Sequence, residues 1–315
     1  MSVPPFTEFT RLADSLLQAV PLRAPSLIVT VWGDTIAAHG ATVWLGSLIR
    51  LMADFGLNER VVRTSVFRLQ KDAWLQGHQV GRRSFYRLST TGQRRTHAAD
   101  LTIYADGPTP WDGRWLILVL GAETSSVREK LRRDLVFMGF GTPSPGVFAR
   151  PDTDWPDVRD LLEDYGVSDD VVVFHADGTL MPSLGPLRRM VGEAWDHAAL
   201  DADYTGFIEH FQPVLDLLEA GVRPAPRDAF VVRTLLIHEF RRVTLRDPLL
   251  PDSLMPRDWS GLGARRLSGA LYRAVHAQAT RHAMAVLETE AGGLPPPLPS
   301  YYDRFGGLDG DRPGD

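Results

Sequence analysis

Hydrophobic side chains recur at helical spacing in two neighbouring segments near the start of the chain. The apolar positions of the first segment are Trp44, Leu45, Leu48, Ile49 and Met52. Thr42 is its predicted N-cap and Gly56 its predicted end. In the second segment, which Asn58 is predicted to cap, the positions that share one face are Val62, Ser65, Val66, Leu69 and Ala73. The pattern therefore predicts two helices joined by a short turn.

The opposite face of the second predicted helix is polar and rich in cations. Its members are Arg60, Arg63, Thr64, Phe67, Arg68 and Lys71. We expect Phe67 to pack against the segment that follows, and contact with a thymine methyl is the alternative. Two helices of which the second exposes a basic face are typical of a helix-turn-helix whose recognition helix enters the major groove of DNA. For any single arginine of this face, an ion pair with an acidic neighbour on the protein surface is the alternative to a contact with DNA.

A predicted hairpin follows the second helix. Strand-like residues 74–79 and 84–88 flank a turn that carries Arg82 and Arg83, and Arg87 lies in the second strand. Cations at a hairpin tip suit contacts with DNA phosphates. Residues 26–32 are rich in β-branched side chains, yet we predict that they form the first helix of this region. Residues 25–95 are thus predicted to be a winged helix-turn-helix domain.

The charge of the chain is distributed unevenly. The net charge is −5, but residues 26–95 carry ten cations and four acids, which leaves residues 96–315 strongly acidic. A basic module on an acidic body indicates that one part of the protein meets a polyanion. The sequence contains no cysteine, which excludes disulfides and cysteine-bound metals. No apolar run has the roughly 20 residues of a membrane span, and no secretion signal begins the chain, so we expect a cytoplasmic protein.

Several stretches of the sequence resemble one known family. They are residues 45–49, 55–69, 81–88, 103–104, 233–251 and 254–259. Together these stretches are similar to the PaaX family, the repressors of bacterial phenylacetic acid catabolism, across roughly residues 25–275. The resemblance implies a transcriptional repressor without enzymatic activity. It also implies that an aryl-coenzyme A thioester such as phenylacetyl-CoA releases the protein from its operator. Symmetry predicts that a homodimer binds an inverted repeat of double-stranded DNA.

Residues 111–180 alternate between predicted strands and helices in the order β-α-β-α-β. This order predicts an α+β domain of ferredoxin-like type, with a turn at residues 139–146. The family resemblance implies the fold of small CRISPR-associated ribonucleases. A metal-dependent nuclease is therefore the alternative function, with Glu123 as the carboxylate nearest the end of the first strand. We favour a non-catalytic domain that links the others and forms a dimer surface.

Residues 181–290 show helical periodicity and are predicted to form a helical ligand-sensing domain. The segment His238-Glu239 comes close to a zinc-protease motif, but Arg242 stands where the second histidine is required, so no metal site is predicted. The resemblance implies an effector site, in which arginines would bind coenzyme A phosphates and aromatic side chains would surround the aryl group. The candidates are Arg233, His238, Arg241, Arg242, Arg246, Trp195, Tyr204, Phe207 and Trp259.

The last segment, residues 291–315, is rich in glycine, proline and aspartate, and this composition predicts a disordered tail. The whole chain is thus predicted to be an α+β multidomain protein. A further alternative to the repressor is an adaptor that uses the winged helix to bind RNA or another protein.

Overall fold

Three segments of the chain build one structural unit and two build another. A computed structural model describes residues 5–107, 111–121, 127–151, 155–177 and 183–308. The first unit comprises Met1–Asp106, Thr205–Arg242 and Leu262–Asp315, and the second comprises Gly107–Tyr204 and Val243–Gly261. Among the helices of the described ranges, none has the length and apolar character that crossing a membrane requires.

The amino-terminal part of the first unit is mostly helical. Its helices are α1 (Pro5–Ala19), α2 (Ala24–Val31), α3 (Leu45–Met52), α4 (Glu59–Lys71) and α5 (Thr90–Ile103), and its strands are β1 (Val43–Trp44), β2 (Leu75–Val80) and β3 (Arg83–Leu88). Helix α2 confirms the predicted first helix despite its β-branched residues. A proline lies in its first turn, and Leu27, Ile28 and Val31 are fully buried, so packing overrides the strand propensity of this segment.

The turn between α3 and α4 is built from residues that the sequence singles out. Gly56 ends the preceding segment in the left-handed conformation, with φ of 73°. The Asn58 side chain accepts a hydrogen bond from the Val61 amide at 3.0 Å, which confirms the predicted N-cap of α4. The predicted cap at Thr42 is wrong, because the two residues of β1 follow it and pair with β3 before α3 begins at Leu45.

Strands β2 and β3 form an antiparallel hairpin in the register Leu75↔Leu88 to Val80↔Arg83. Gly81 occupies the tip with φ of 59°, a conformation that favours glycine in a two-residue turn. Strand β1 pairs with the other edge of β3, so the sheet has the order β1-β3-β2. The predicted hairpin is therefore present.

The second unit contains a four-stranded antiparallel sheet. Its elements are β4 (Arg114–Leu120), α6 (Arg128–Phe137), β5 (Gly141–Ser144), β6 (Val147–Pro151), α7 (Trp155–Asp164) and β7 (Val171–Asp177). The strand order β5-β6-β4-β7 is that of a ferredoxin-like fold. The predicted turn at residues 139–146 is wrong, because it contains β5. Pro143 is tolerated there because β5 is an edge strand that pairs only with β6.

Both faces of this sheet contribute to the core of the second unit. On one face Leu116 and Leu118 pack with Leu131 and Leu135 of α6, and α7 completes the layer. On the other face, Trp115 of β4 packs in a cluster that includes residues of α8 (Gly185–Ala194) and of the segment before residue 256.

The carboxy-terminal helices are divided between the two structural units, so the boundary between the units does not coincide with the predicted boundaries 181–290. The remaining helices are α9 (His197–Glu219), α10 (Pro226–Thr244) and α11 (Ser260–Val286). Most of α10 and α11 belongs to the first unit, whereas residues 181–204 and 243–261 belong to the second. The physical reason is that α10 is buried on almost every side, including its polar residues Arg233 and His238, which makes it a central core helix of the first unit.

The predicted disordered tail is also wrong for residues 291–308. Strands β8 (Glu288–Thr289) and β9 (Gly292–Gly293) form a small hairpin, and a 3-10 segment spans Pro299–Gly306. Between the prolines, Tyr301, Phe305 and Leu308 are buried, so a few apolar side chains order a segment whose overall composition favours disorder. The rest of the predicted tail, residues 309–315, lies outside the described residues.

A buried carboxylate, that of Asp34, links four distant parts of the first unit. Its Oδ2 lies 3.0 Å from Arg233 Nε of α10, and its Oδ1 lies 3.2 Å from Arg304 Nη1 of the carboxy-terminal segment. The same Oδ1 accepts hydrogen bonds of 2.8 Å from the hydroxyls of Tyr104 and Tyr272. All these side chains are buried, so the charges are screened little by solvent.

The two arginines around Asp34 remain charged in the core. Burial on its own lowers the pKa of Arg233, but the Asp34 carboxylate more than offsets this, and the net shift is upward. Arg304 also donates to the Asp34 carbonyl and to the Tyr272 hydroxyl, both at 2.7 Å, and its guanidinium lies 4.0 Å from the centre of the Tyr104 ring. The network thus consists of one carboxylate that is paired with two arginines, and the hydroxyls of Tyr104 and Tyr272 donate hydrogen bonds to the same carboxylate.

We predict that Asp34→Asn destabilises the protein severely. The amide keeps the shape of the side chain but leaves two buried guanidiniums without the carboxylate that they share. Breaking a buried ion pair in this way costs about 3–5 kcal/mol in the free energy of unfolding. Urea denaturation measures the change. The control is Glu129→Gln, which removes an exposed carboxylate from its pair with Arg132. Equal denaturation midpoints for the two variants would contradict the prediction.

Candidate nucleic-acid interface and ligand cavities

Helix α4 has one buried face and one exposed basic face. Val62, Ser65, Val66 and Leu69 are buried, and α2 packs against this helix. The predicted contact residues all lie exposed on the other side: Arg60, Arg63, Thr64, Arg68 and Lys71. Ala73, predicted on the inner face, lies beyond the end of the helix and is exposed. Helical periodicity therefore predicted the buried and the exposed face of α4 correctly between its first and last residue.

Phe67 does not pack against the hairpin, contrary to expectation. Its side chain is 67% exposed on the basic face of α4. The hairpin therefore leaves the outer surface of the helix open. A single exposed apolar side chain is common on protein surfaces, so Phe67 adds no evidence of its own for a partner, although its ring is accessible to one.

The cations of the exposed face differ in how they are paired. Arg63 Nη2 lies 2.8 Å from Glu59 Oε1 one turn earlier, so the alternative of a surface ion pair holds for this residue. Within the described part of the chain, the side chains of Arg60, Arg68 and Lys71 form no ion pair. These three residues are spaced eight and three positions apart and so follow one side of the helix. They present uncompensated positive charge to solvent.

The turn of the hairpin also presents two arginines, of which one forms an ion pair and the other does not. Arg82 is exposed at the tip, beside Gly81, and makes no ion pair with a described residue. The Arg83 guanidinium lies 4.3 Å from the centre of the Trp44 ring, and its Nη1 lies 3.2 Å from Glu288 Oε2. Arg87 is exposed in β3, opposite Gln76. Of the two cations in the turn, only Arg82 is unpaired.

Five of the nine predicted effector residues belong to the first unit. Arg233 is held by Asp34, and Phe207 is buried with its ring 5.5 Å from that of Phe240. Burial lowers the pKa of His238 to about 4, so its ring is neutral, and its Nδ1 lies 2.9 Å from the Thr30 hydroxyl. For Arg233, His238 and Phe207 the prediction of a ligand contact is therefore wrong, because their side chains fill the core.

The remaining two arginines of this group lie closer to the surface. Arg242 Nε lies 3.2 Å from Glu239 Oε1. Arg241 is half-buried, and burial lowers its pKa. Its Nη1 donates to the Thr30 hydroxyl at 3.3 Å, and it lines a cavity of only about 30 Å³. A space of this size admits water and excludes an aryl group.

The other four predicted effector residues come together in the second unit. Trp195 separates two cavities of about 260 Å³ and about 420 Å³ and lines both of them. Arg246 borders the smaller cavity and Trp259 borders the larger one. Tyr204 lies behind Trp259, with ring centres 5.6 Å apart, and donates a 2.7 Å hydrogen bond to Asp247 Oδ2. The larger cavity falls within the usual volume range of small-molecule sites, and the smaller one lies just below it.

His197 is a residue of this site that the sequence did not reveal. Its ring stacks on Trp195 at 6.5 Å and meets Trp259 edge-on at 6.0 Å, and burial lowers its pKa. The signal in the sequence is the segment Trp195-Asp196-His197, but its meaning depends on Trp259, which is 64 positions away. The three rings form an aromatic wall around the larger cavity.

The two cavities differ in charge. The smaller one is bordered by Arg246, whose Nη2 lies 2.7 Å from Asp203 Oδ2. The larger one is lined by Asp196, Asp201 and Asp258 and by no lysine or arginine among the described residues. These carboxylates disfavour a phosphate group in the larger cavity, so a phosphate is favoured only on the side of Arg246, and the aromatic wall is the part of the larger cavity that suits an aryl group.

The nuclease alternative gains no support from the described residues. They contain no group of three histidine, aspartate or glutamate side chains that could hold a metal ion. Glu123, the carboxylate on which that alternative depends, lies outside the described residues.

Known proteins resemble this chain along nearly its whole length. Three family models match it: PaaX-like protein at residues 23–92, PaaX protein central Cas2-like domain at residues 108–187, and PaaX-like protein C-terminal domain at residues 195–285. The chain is 41% identical over 293 residues to the transcriptional repressor PaaX of Escherichia coli strain K12, and the match covers 93% of each protein.

A solved structure is also similar. An uncharacterized protein from Mycobacterium tuberculosis matches 82% of this chain with 99% of its own length, at a TM-score of 0.52 and 25% identity. The family models, the identity to the repressor of Escherichia coli and the ferredoxin-like central sheet agree with one another. They show that this chain belongs to the PaaX family of transcriptional repressors.

Proposed function

We propose that the protein represses transcription by binding double-stranded DNA through a winged helix-turn-helix formed by α2, α3, α4 and the β2–β3 hairpin. The observation that carries the proposal is the row of exposed, unpaired cations on α4, whose opposite face is buried. A helix of 13 residues is about 20 Å long, and the major groove of B-DNA is wide enough to admit it. The repressor function of the relative in Escherichia coli supports the same conclusion.

The two parts of this surface are proposed to make different contacts. Arg60, Arg68 and Lys71 can reach base edges and phosphates along the groove, and Arg63 can join them when it leaves Glu59. Arg82 at the hairpin tip is placed to contact phosphate, which adds affinity without sequence preference. The adaptor alternative explains this surface less well for either partner. Protein interfaces are depleted in lysine at their centres, and the narrow major groove of A-form RNA does not suit a recognition helix.

A homodimer is proposed to bind an inverted repeat. The sheet of the second unit leaves Val172 and Phe174 of β7 about half exposed, at 54% and 51%. They are paired with Val119 and Ile117 of β4, so these side chains share one face of the sheet. An apolar sheet face is a suitable dimer surface, and two-fold symmetry would present two α4 helices to the two half-sites.

An aryl-coenzyme A thioester, such as phenylacetyl-CoA, is proposed as the effector that releases the DNA. The support is the family resemblance and the aromatic wall of Trp195, His197 and Trp259, which suits an aryl group. Arg246 is the cation nearest to this wall that could meet a phosphate. The effector must bind the DNA-free state more tightly than the DNA-bound state for this coupling to operate.

We predict that Arg68→Ala weakens binding to DNA fragments that the wild-type protein selects from genomic DNA. An arginine that contacts a base contributes about 1–3 kcal/mol, which corresponds to a loss of roughly five- to 150-fold in affinity. Fluorescence anisotropy measures the affinity. The matched control is Arg159→Ala, an exposed arginine of α7 that is paired with Asp160. Unchanged affinity of the Arg68 variant would reject α4 as the recognition helix.

Arg82→Gln is expected to weaken binding to every DNA sequence to a similar extent. Loss of one phosphate contact reduces the slope of log affinity against log salt concentration by about 0.9. Titrations of the selected fragment and of an unrelated duplex at four salt concentrations measure the slope. A loss confined to the selected fragment, or an unchanged slope, would show that Arg82 does not contact phosphate.

Trp259→Ala is expected to weaken the binding of phenylacetyl-CoA roughly tenfold, because an aromatic contact and its buried area are lost. Calorimetry measures the affinity, with free phenylacetate and coenzyme A as ligand controls. The control variant is Trp111→Ala, which removes a tryptophan of the same unit that lines neither cavity. No binding by the wild-type protein, or equal losses in the two variants, would reject this effector site.

A further inference from the structure

The small β8–β9 hairpin carries two carboxylates to the side of the DNA-binding hairpin, where they contact Arg83 near its tip and His78 in β2. We name residues 287–294 the C-terminal clasp. Leu287 and Leu294 at its ends are buried in the first unit, and Glu288 and Glu290 between them are partly exposed. The two buried leucines therefore anchor the clasp to the core of the first unit. The side chains of Glu288 and Glu290 lie against the β2–β3 hairpin.

Glu288 contacts two arginines at once. Its Oε1 lies 2.5 Å from Arg50 Nη2 of α3, and its Oε2 lies 3.2 Å from Arg83 Nη1 of β3. Both guanidiniums also lie over the Trp44 ring, at 5.2 Å and 4.3 Å from its centre. Glu290 repeats the arrangement on the other strand, where its carboxylate contacts the ring of His78. The clasp thus compensates Arg83 of the hairpin and places a second carboxylate beside His78.

The hairpin does not need these carboxylates to keep its position. β3 is held by β1 on one side and by β2 on the other, and Phe85 of β3 is buried. The side chains of Glu288, Arg50 and Arg83 are 37%, 48% and 53% exposed, and ion pairs with such exposure add little to stability. The carboxylates therefore change the charge of this surface much more than they change its shape.

We propose that the C-terminal clasp limits the affinity of the DNA-binding hairpin for phosphates by holding Arg83 against Glu288. This inference rests on the proposed function, since it concerns the same DNA-binding surface. Arg82 at the tip remains available for phosphate, whereas Arg83 must first leave a carboxylate. A negative charge beside this surface also repels the DNA backbone. Non-specific binding is weakened most, because phosphate contacts supply almost all of its affinity.

The test compares Glu288→Gln with the wild-type protein on a 20-base-pair duplex of arbitrary sequence, by fluorescence anisotropy at four salt concentrations. Glutamine keeps the size of the side chain and removes its charge. We expect affinity to rise roughly fivefold at the lowest salt concentration, since a charge pair near 4 Å in water has about this strength. The salt slope is expected to become steeper by up to about 0.9, for one added phosphate contact. Glu129→Gln is the control for net charge and is expected to bind like the wild type.

A second comparison ties the effect to Arg83. In the Arg83→Gln background, Glu288→Gln is expected to give a clearly smaller gain, because the hairpin cation that it releases is absent and only the repulsion by Glu288 and its pair with Arg50 are lost. An undiminished gain in this background, or no gain in the single variant, would overturn the proposal. Thermal unfolding and circular dichroism establish that the variants are folded.

If Glu288→Gln fails to fold, the proposal is tested with variants that do not change the clasp. Arg83→Gln is then compared with Arg82→Gln in the wild-type background, and it is expected to reduce the salt slope less, because its charge is already compensated. Equal reductions would overturn the clasp while leaving the proposed function in place. Absence of DNA binding by the wild-type protein would instead overturn the proposed function, and the clasp with it.

Discussion

The fold of the first unit depends on one buried charge cluster, in which Asp34 is the shared acid. The sequence interrupts this unit twice with segments of the second unit, so its parts must find one another across long separations. Asp34 contacts Arg233 and Arg304, which lie 199 and 270 positions further along the chain. Because buried charges must be paired, the unit is complete only when the central helix α10 and the carboxy-terminal segment are both in place. The helices of the proposed DNA-binding surface therefore belong to a unit whose core includes the carboxy-terminal segment that contains Arg304.

Arginines serve opposite purposes in the two regions of this unit. In the core, Arg233 and Arg304 share the Asp34 carboxylate and hold elements together. On the outer face of α4, Arg60 and Arg68 have no acidic partner among the described residues, and this imbalance is what the proposed contact with a polyanion requires. Arg83 is intermediate, since Glu288 compensates it at the surface. The function of an arginine in this protein therefore follows from its burial and its partners, which the residue type does not reveal.

The sequence predicted local features well and long-range ones poorly. Helix α4, its Asn58 cap and the hairpin were predictable because capping, helical period and glycine turns act over a few residues. Strand β5 was missed because Pro143 and its glycines resemble a turn, and only pairing with β6 makes the segment a strand. The ordered carboxy-terminal segment was missed because Tyr301 and Phe305 are few among prolines and glycines. The effector residues were assigned partly wrongly, since a buried, paired Arg233 and an accessible arginine look alike in sequence.

The chain offers a direct test of the DNA-binding face, because it contains only two lysines. Lys71 lies on the exposed face of α4, and Lys130 lies exposed on α6 of the second unit. Acetylation of the protein with and without bound DNA, followed by mass spectrometry, measures the protection of each lysine in the same sample. Our account predicts that DNA protects Lys71 severalfold and leaves Lys130 unchanged. Equal labelling of Lys71 in the free and DNA-bound protein, with or without protection of Lys130, would contradict it.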